Sequence, residues 1–152
     1  SSATFRSDLV AALTETGATI AFDAIGGCTL GGQILAAMEQ AAVARMASYS
    51  RYGSDSFKQL YIYGALDLGP TSFARSFGFS WSISGFLLTS FLQKAGMETV
   101  MRMRQRVVDE LTTTFKSHYS HRISLTEALD VATLQAYNAK RTGEKYLIRP
   151  HG

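Results

Sequence analysis

The spacing of apolar residues changes along the chain between helical and extended patterns, which predicts a mixed α/β fold. Apolar residues at helical spacing predict a helix that ends at Gly17 and a second helix over 30–46, with Glu39 and Gln40 outside its apolar stripe. Between these helices, the uninterrupted apolar run 18–23 is typical of a strand that is buried on both faces of a parallel sheet.

Two further strands are predicted in the middle of the chain. Residues 58–63 form an apolar and aromatic run that ends at Gly64. Over 76–84, large apolar residues alternate with serine and glycine, which predicts a strand with one aromatic face. Because such a face needs burial, we expect Trp81 to lie on a sheet edge that is used for self-association.

The last third of the chain is predicted to be mainly helical. Apolar spacing predicts one long helix over 98–115, and Ser124-Leu-Thr-Glu127 has the pattern of a capping box that starts another helix, ending near 141. A short strand over 145–149 closes the chain. Strands that alternate with helices in this order favour a parallel sheet with helices on its faces.

Composition narrows the class of protein and of partner. The 152 residues are 46% apolar and 18% charged, which excludes a disordered chain. A net charge of +3 without a basic cluster gives no indication of nucleic-acid binding. Polar residues interrupt the longest uncharged stretch, 76–93, so we expect no membrane span. A single cysteine is typical of a reducing compartment, and we expect a cytoplasmic protein.

Candidate chemistry lies where the first predicted strand ends. Glycines follow that strand in a strand-to-helix loop, where doubly wound folds bind ligands, although their spacing is neither that of a P-loop nor G-x-G-x-x-G. Asp23 would either accept a ligand hydroxyl or bond the backbone amides of the turn, and we favour the second role. Cys28 lies near a helix start that would lower its pKa, but no histidine is close enough in sequence to suggest a nucleophile.

The histidines do not indicate a metal site. His118 and His121 are three residues apart, but zinc needs a third ligand and none is suitably placed. We therefore expect surface histidines and no bound metal.

Four runs of residues, in their order, resemble one protein family. They are 17–27, 33–35 with 38–39, 58–64, and the tail formed by 123–128 with 142–150. Together they resemble the C-terminal portion of the medium-chain dehydrogenases/reductases. The zinc-independent, quinone-oxidoreductase-type branch of the zinc-binding-dehydrogenase-like group is the most similar. The resemblance covers nearly the whole chain.

This resemblance implies a partial Rossmann-like α/β fold, the second half of a doubly wound parallel sheet with C-terminal helices and a return strand. Residues 18–24, 58–64 and 76–84 would be its fourth, fifth and sixth strands. Residues 1–96 would form the second half of an NAD(P)-binding domain, and 97–152 a return segment that packs on it. The chain would then be a piece of a longer protein.

The resemblance also implies where a cofactor and a substrate would lie. Three residues would lie beside the nicotinamide ribose: Ala24, Ile25 and Gly26. Three others would offer backbone groups to the carboxamide: Tyr63, Gly64 and Ala65. Lys140 or Arg141 matches a basic residue that holds the cofactor in some relatives. Four residues would lie near the substrate mouth and a two-fold interface: Trp81, Ser82, Ile83 and Ser84.

The chemistry implied is hydride transfer from a nicotinamide cofactor, NADPH, to a quinone or to an activated alkene or carbonyl. Because the sequence has no dinucleotide fingerprint, we expect weak or absent NADP binding and no activity by this chain alone. The alternative is a non-catalytic half-Rossmann interaction module. A methyltransferase-like doubly wound domain fits the alternation of elements but not the tail.

An absent first strand would leave strand 18–24 with unpaired backbone groups along one side. We therefore expect a cover for this edge: a second copy of the chain, an exchanged segment, or a displaced piece of the chain's own tail. A homodimer through sheet edges is the expected assembly.

Overall fold

Two parallel sheets organise the chain, one in each of two units. The computed structural model describes residues 3–139 and 143–151. The units comprise residues 1–94 and 95–152. Within the described ranges, no helix is both long enough and apolar enough to cross a membrane. The roles predicted for 1–96 and 97–152 stay predictions.

The first sheet has three parallel strands, in the order β1-β2-β3. The elements of this part of the chain are α1 (Phe5–Thr16), β1 (Ile20–Asp23), α2 (Leu30–Val43), β2 (Lys58–Ile62), β3 (Trp81–Gly85) and α3 (Leu88–Ala95). Asp23, Ile62 and Gly85 stand in register at the carboxyl edge of the sheet. This order and direction confirm the predicted partial Rossmann-like fold.

The core lies between one face of this sheet and the helices α1 and α2. Leu35 of α2, Leu60 of β2 and Phe77 are fully buried there. Gly17 ends α1 as predicted, because its left-handed backbone (φ 66°) lets its N–H donate to the Leu13 carbonyl at 2.9 Å. The stripe of apolar residues predicted for α2 is what it buries against the sheet.

Strand β1 is not buried on both faces, contrary to the prediction. Ile20 and Phe22 are 56% and 55% exposed, because α1 and α2 pack on the other face of the sheet. The Thr19 and Asp23 carbonyls accept hydrogen bonds from the N–H groups of Gln59 and Tyr63 on the β2 side, so by alternation the N–H and C=O groups of Ile20 and Phe22 point away from β2. No described strand pairs with that side of β1.

The predicted aromatic strand face over 76–84 is wrong. Strand β3 begins only at Trp81, since Gly78 has a left-handed backbone (φ 66°) that interrupts the extended conformation. Phe77 therefore turns into the core while Phe79 is 82% exposed. Helix α3, which follows β3 after two residues, was not predicted.

The second unit holds a two-stranded parallel sheet and short helices. Its elements are α4 (Met97–Asp109), β4 (His121–Ser124), α5 (Leu125–Ala128), α6 (Val131–Asn138) and β5 (Tyr146–Arg149). The capping box is confirmed: the Ser124 hydroxyl accepts from the Glu127 N–H at 3.2 Å, and the Ser124 N–H donates to the Glu127 carboxylate at 2.7 Å. Tail strand β5 pairs with β4 through residues 146–149. The expected cover of the free edge of β1, by a second copy, an exchanged segment or a piece of the tail, stays a prediction.

Both helices predicted in this unit are shorter than expected. Helix α4 ends at Asp109 rather than 115, before the three consecutive threonines 112–114, whose β-branched side chains favour helix weakly. The helix predicted to run to 141 divides after α5, because Asp130 has an extended backbone and starts α6.

Candidate functional site

Two loops meet at the carboxyl edge of the first sheet. Residues 24–29 follow β1 and residues 63–67 follow β2, and the Asp67 N–H donates to the Ile25 carbonyl at 2.9 Å. A side chain at Gly26 would place its Cβ 2.9 Å from the Gly64 carbonyl oxygen, and one at Gly64 would overlap the Ala24 carbonyl. The six residues predicted for the cofactor are thus brought together, and only glycine permits this approach.

Asp23 holds the first loop from a buried position. It is 2% exposed, and its Oδ1 accepts hydrogen bonds from the N–H groups of Ile25 at 2.8 Å and Gly26 at 3.2 Å. This confirms the turn-bonding role favoured from the sequence. Its Oδ2 is also buried and meets no donor among the described residues.

The second loop offers backbone donors, but fewer than predicted. The Tyr63 N–H donates to the Asp23 carbonyl at 2.9 Å, as a continuation of the sheet, and is not free for a ligand. The N–H groups of Gly64 and Ala65 donate to no described residue. Gly64 is half-buried and Ala65 is exposed, so these two amides are the donors that this loop presents.

Cys28 and Asp67 join the same two loops. The Cys28 thiol donates to the Asp67 Oδ2 at 3.0 Å. This hydrogen bond, with burial and the nearby carboxylate charge, raises the pKa of Cys28, and the same bond lowers the pKa of Asp67. The predicted lowering of the thiol pKa is therefore wrong. Cys28 serves here as a neutral hydrogen-bond donor between the loops.

An aromatic groove lies on the open face of the sheet, next to these loops. Phe22 stacks on Tyr61 with ring centroids 5.1 Å apart, and Phe86 packs edge-on against both rings. A cavity of about 430 Å³ is lined by Phe22, Tyr63, Phe86, Leu87 and Leu88. A flat apolar group beside the loops would find aromatic walls there.

The four β3 residues predicted near the substrate are not all at this edge. Trp81 pairs in register with Lys58 at the amino edge of the sheet, the opposite end from the two loops. Ser82 and Ser84 share the open face, where the Ser84 hydroxyl accepts from the Gln59 amide at 3.0 Å. Ile83 packs against the core on the helix-covered face.

The remaining predicted residues belong to the last third of the chain. Lys140 and Arg141 fall outside the described residues. His121 stacks on Tyr146, with ring centroids 4.5 Å apart, in the second unit. Among the residues that the structure describes, no group of three or more His, Cys, Asp or Glu side chains is placed to hold a metal ion.

Sequence reasoning missed a buried ion pair. Glu39, expected on the polar side of α2, is 5% exposed, and its carboxylate accepts a hydrogen bond from the fully buried Lys58 ammonium at 2.5 Å. The two residues are far apart in sequence, and each is of a type that normally faces solvent. The only indications of this ion pair in the sequence are a lysine at the start of an apolar strand and a glutamate beside an apolar helical stripe.

The fold has a counterpart among solved structures. The chain aligns with part of a crystal structure from Mesorhizobium loti, described as that of a "putative NADPH:quinone reductase", with a TM-score of 0.59 and 20% sequence identity. The alignment covers 98% of this chain and 38% of that one. The fold implied by the resemblance is confirmed. No protein-family model matches the chain, and the search of curated proteins finds no match.

Proposed function

We propose that this chain supplies the C-terminal part of an NAD(P)H-dependent oxidoreductase that transfers hydride to a quinone or to an activated alkene or carbonyl. The observation that carries the proposal is the meeting of residues 24–26 and 63–65 at the carboxyl edge of a parallel sheet, where a side chain at Gly26 or Gly64 would collide with the facing loop. The description of the solved neighbour as an NADPH:quinone reductase supports the choice of cofactor.

The residues present fit the nicotinamide half of such a cofactor. The glycines let the two loops pack against each other at Gly26 and Gly64, and the free N–H groups of Gly64 and Ala65 suit a carboxamide oxygen. The aromatic walls of Phe22 and Tyr63 suit a flat ring. When bound, the cofactor supplies the hydride, and this chain binds and orients it.

The affinity of this chain alone for NADPH is expected to be low. The two loops would contact only the nicotinamide half, and the sequence contains no G-x-G-x-x-G loop to hold the pyrophosphate. Binding through half of the ligand corresponds to a Kd of about 1 mM or weaker, or roughly 4 kcal/mol. The cofactor contact proposed for Arg141 and the small-molecule substrate belong to this same proposal.

A non-catalytic interaction module is the second candidate. Strand β1 and strand β3 are both edges of the first sheet, and β1 leaves Ile20 and Phe22 exposed. Unpaired edges of this kind are templates for strand pairing. We therefore also propose that the chain forms a homodimer through a sheet edge, which is compatible with either function.

Backbone amide NMR tests the proposed cofactor site. Nicotinamide mononucleotide at about 10 mM is expected to shift the amide signals of Gly26, Gly64 and Ala65, while AMP is not, because only the nicotinamide half is recognised. Gly64→Ala should abolish these shifts. Gly85→Ala at the same edge should leave them unchanged, since a Cβ there meets nothing within 4 Å.

Two results would contradict the proposal. The absence of shifts at these amides would remove the nicotinamide site and favour the interaction module. Micromolar binding of NADPH would show that the chain holds a complete cofactor site, which the two loops do not provide. Well-dispersed spectra of both glycine variants establish that each variant is folded.

A further inference from the structure

A second cavity lies at the amino edge of the first sheet, at the opposite end of the strands from the proposed cofactor loops. Its volume is about 380 Å³, and the residues that matter to its chemistry are Glu39, Arg51, Tyr52, Arg75, Phe79 and Trp81. Known small-molecule sites occupy roughly 300–1,000 Å³, so the cavity is large enough for a compact ligand.

The floor of this cavity is electrically balanced. The Glu39 carboxylate accepts from the Lys58 ammonium at 2.5 Å, and from the Ser54 N–H and hydroxyl at 2.7 and 2.6 Å. Lys58 also donates to the Ser56 carbonyl at 2.8 Å. The buried acid and base neutralise each other, so the floor adds no net charge to the cavity.

The same carboxylate fixes the walls of the cavity to helix α2. Gly53 and Gly78 both have left-handed backbones, with φ of 84° and 66°. A Cβ on Gly78 would lie 2.8 Å from the Glu39 Oε1, and one on Gly53 would also collide with that oxygen. The loops before β2 and before β3 therefore close around the carboxylate, and the cavity between them is a built feature of the fold.

The walls combine aromatic rings with two positive charges. The Arg51 guanidinium lies 5.0 Å above the centre of the Tyr52 ring, and Tyr52 meets Phe79 edge-on at 6.5 Å. Trp81, the first residue of strand β3, lines the cavity where it meets the sheet. Neither Arg51 nor Arg75 forms an ion pair with any residue in 3–139 or 143–151.

We infer that this cavity binds a small aromatic anion, a flat ring that carries a carboxylate or a phosphate. The ring would pack among Tyr52, Phe79 and Trp81, and the anionic group would meet the Arg51 and Arg75 guanidiniums. Arginine suits this role because its planar fork matches both anions and stacks on rings. This site is independent of the proposed oxidoreductase function.

Trp81 provides a direct readout, because it is the single tryptophan of the chain and it lines the cavity. We expect benzoate, AMP or both to change its fluorescence saturably below about 10 mM. Benzamide, which lacks the charge, and cyclohexanecarboxylate, which lacks the aromatic ring, should each bind at least about tenfold more weakly than benzoate. Comparing benzoate with AMP distinguishes a carboxylate ligand from a phosphate ligand.

Charge-removing variants locate the site. Arg51→Gln and Arg75→Gln should each weaken binding about tenfold, while Lys94→Gln, which removes the same charge elsewhere in the first unit, should not. Equal responses to benzoate and benzamide, unchanged binding by both arginine variants, or no saturable change would overturn the inference.

Discussion

The buried ion pair between Glu39 and Lys58 makes a quantitative prediction about the first unit. Lys58 is fully buried and its ammonium has three hydrogen-bond acceptors, the Glu39 carboxylate, the Ser54 hydroxyl and the Ser56 carbonyl. Lys58→Met keeps an unbranched apolar chain in the same space but removes the charge. The Glu39 carboxylate is then left buried with only Ser54 as its donor.

The free energy of unfolding that Lys58→Met should lose is large relative to the stability of a domain. Removing one partner of a buried ion pair costs about 3–5 kcal/mol, because the other charge stays desolvated without compensation. Whole domains have unfolding free energies of about 5–15 kcal/mol. With an m-value of about 1–2 kcal/mol/M in urea, the midpoint of unfolding should fall by about 1.5–5 M.

A double-mutant cycle separates the pair from its surroundings. Urea unfolding of the first unit is followed by Trp81 fluorescence for Lys58→Met, Glu39→Gln and the double variant. The double variant should be more stable than the sum of the two single losses predicts, since neither charge is then left unpaired. As a control, Arg106→Gln breaks the exposed pair with Glu110 and should leave the unfolding midpoint measured by circular dichroism nearly unchanged.

The pH dependence supplies an independent check. Burial acts to raise the pKa of Glu39, but the hydrogen bonds from Lys58 and Ser54 outweigh it and hold the pKa below its ordinary value. A depressed pKa contributes stability above the unfolded value of about 4.3 and loses it as the pH falls through the folded value. Glu39→Gln should therefore flatten the acid side of the stability profile. A loss below about 1 kcal/mol for Lys58→Met, or strictly additive variants, would refute the reasoning.

Three further predictions concern single sites. Ser124→Ala removes the capping box and should cost about 1 kcal/mol in thermal unfolding of the second unit. An alanine at position 26 would have to keep a left-handed backbone, with its Cβ 2.9 Å from the Gly64 carbonyl oxygen, so Gly26→Ala should lower the free energy of unfolding by about 1–3 kcal/mol. Gly85→Ala, which meets nothing within 4 Å, should lower it by under about 1 kcal/mol. Cys28 should react slowly with iodoacetamide near neutral pH, and Asp67→Asn should lower its pKa and speed the reaction; an unchanged pH-rate profile would contradict the hydrogen-bond explanation.

Features that depend on local spacing could be predicted from the sequence. The stop at Gly17 and the capping box at Ser124 follow from residues within a few positions of one another. The order of the strands and the neighbouring positions of 24–26 and 63–65 were implied by the family resemblance, not by local spacing.

Features that depend on contacts between residues distant in sequence could not be predicted. The alternation over 76–84 is a strand signal, yet Gly78 adopts a left-handed backbone because it packs on Glu39 of α2. The same contact buries Glu39, which its place in the helix predicts to be exposed. One long-range cluster thus explains both the shortened strand β3 and the missed ion pair.

The choice of sheet edge distinguishes the two proposed functions. In an oxidoreductase, the outer side of β1 faces the half of the sheet that completes the cofactor site, so self-association would use β3. In an interaction module, the exposed Ile20 and Phe22 favour pairing through β1. The two edges are distinguishable because each directs its own set of backbone N–H groups outward.

Amide hydrogen exchange at several protein concentrations measures the protection of the β1 and β3 edges separately. Between β2 and β3, the Lys58 backbone N–H donates to the Ser80 carbonyl, and the Phe86 N–H donates to the Ile62 carbonyl. By alternation, the N–H groups of Trp81 and Ile83 face the free side of β3. We expect these two amides to gain protection as the concentration rises, while those of Ile20 and Phe22 stay fast. Protection that grows at Ile20 and Phe22 instead would assign β1 to self-association, because an edge occupied by a second copy has no room for a cofactor-binding half. That result would favour the interaction module over the oxidoreductase.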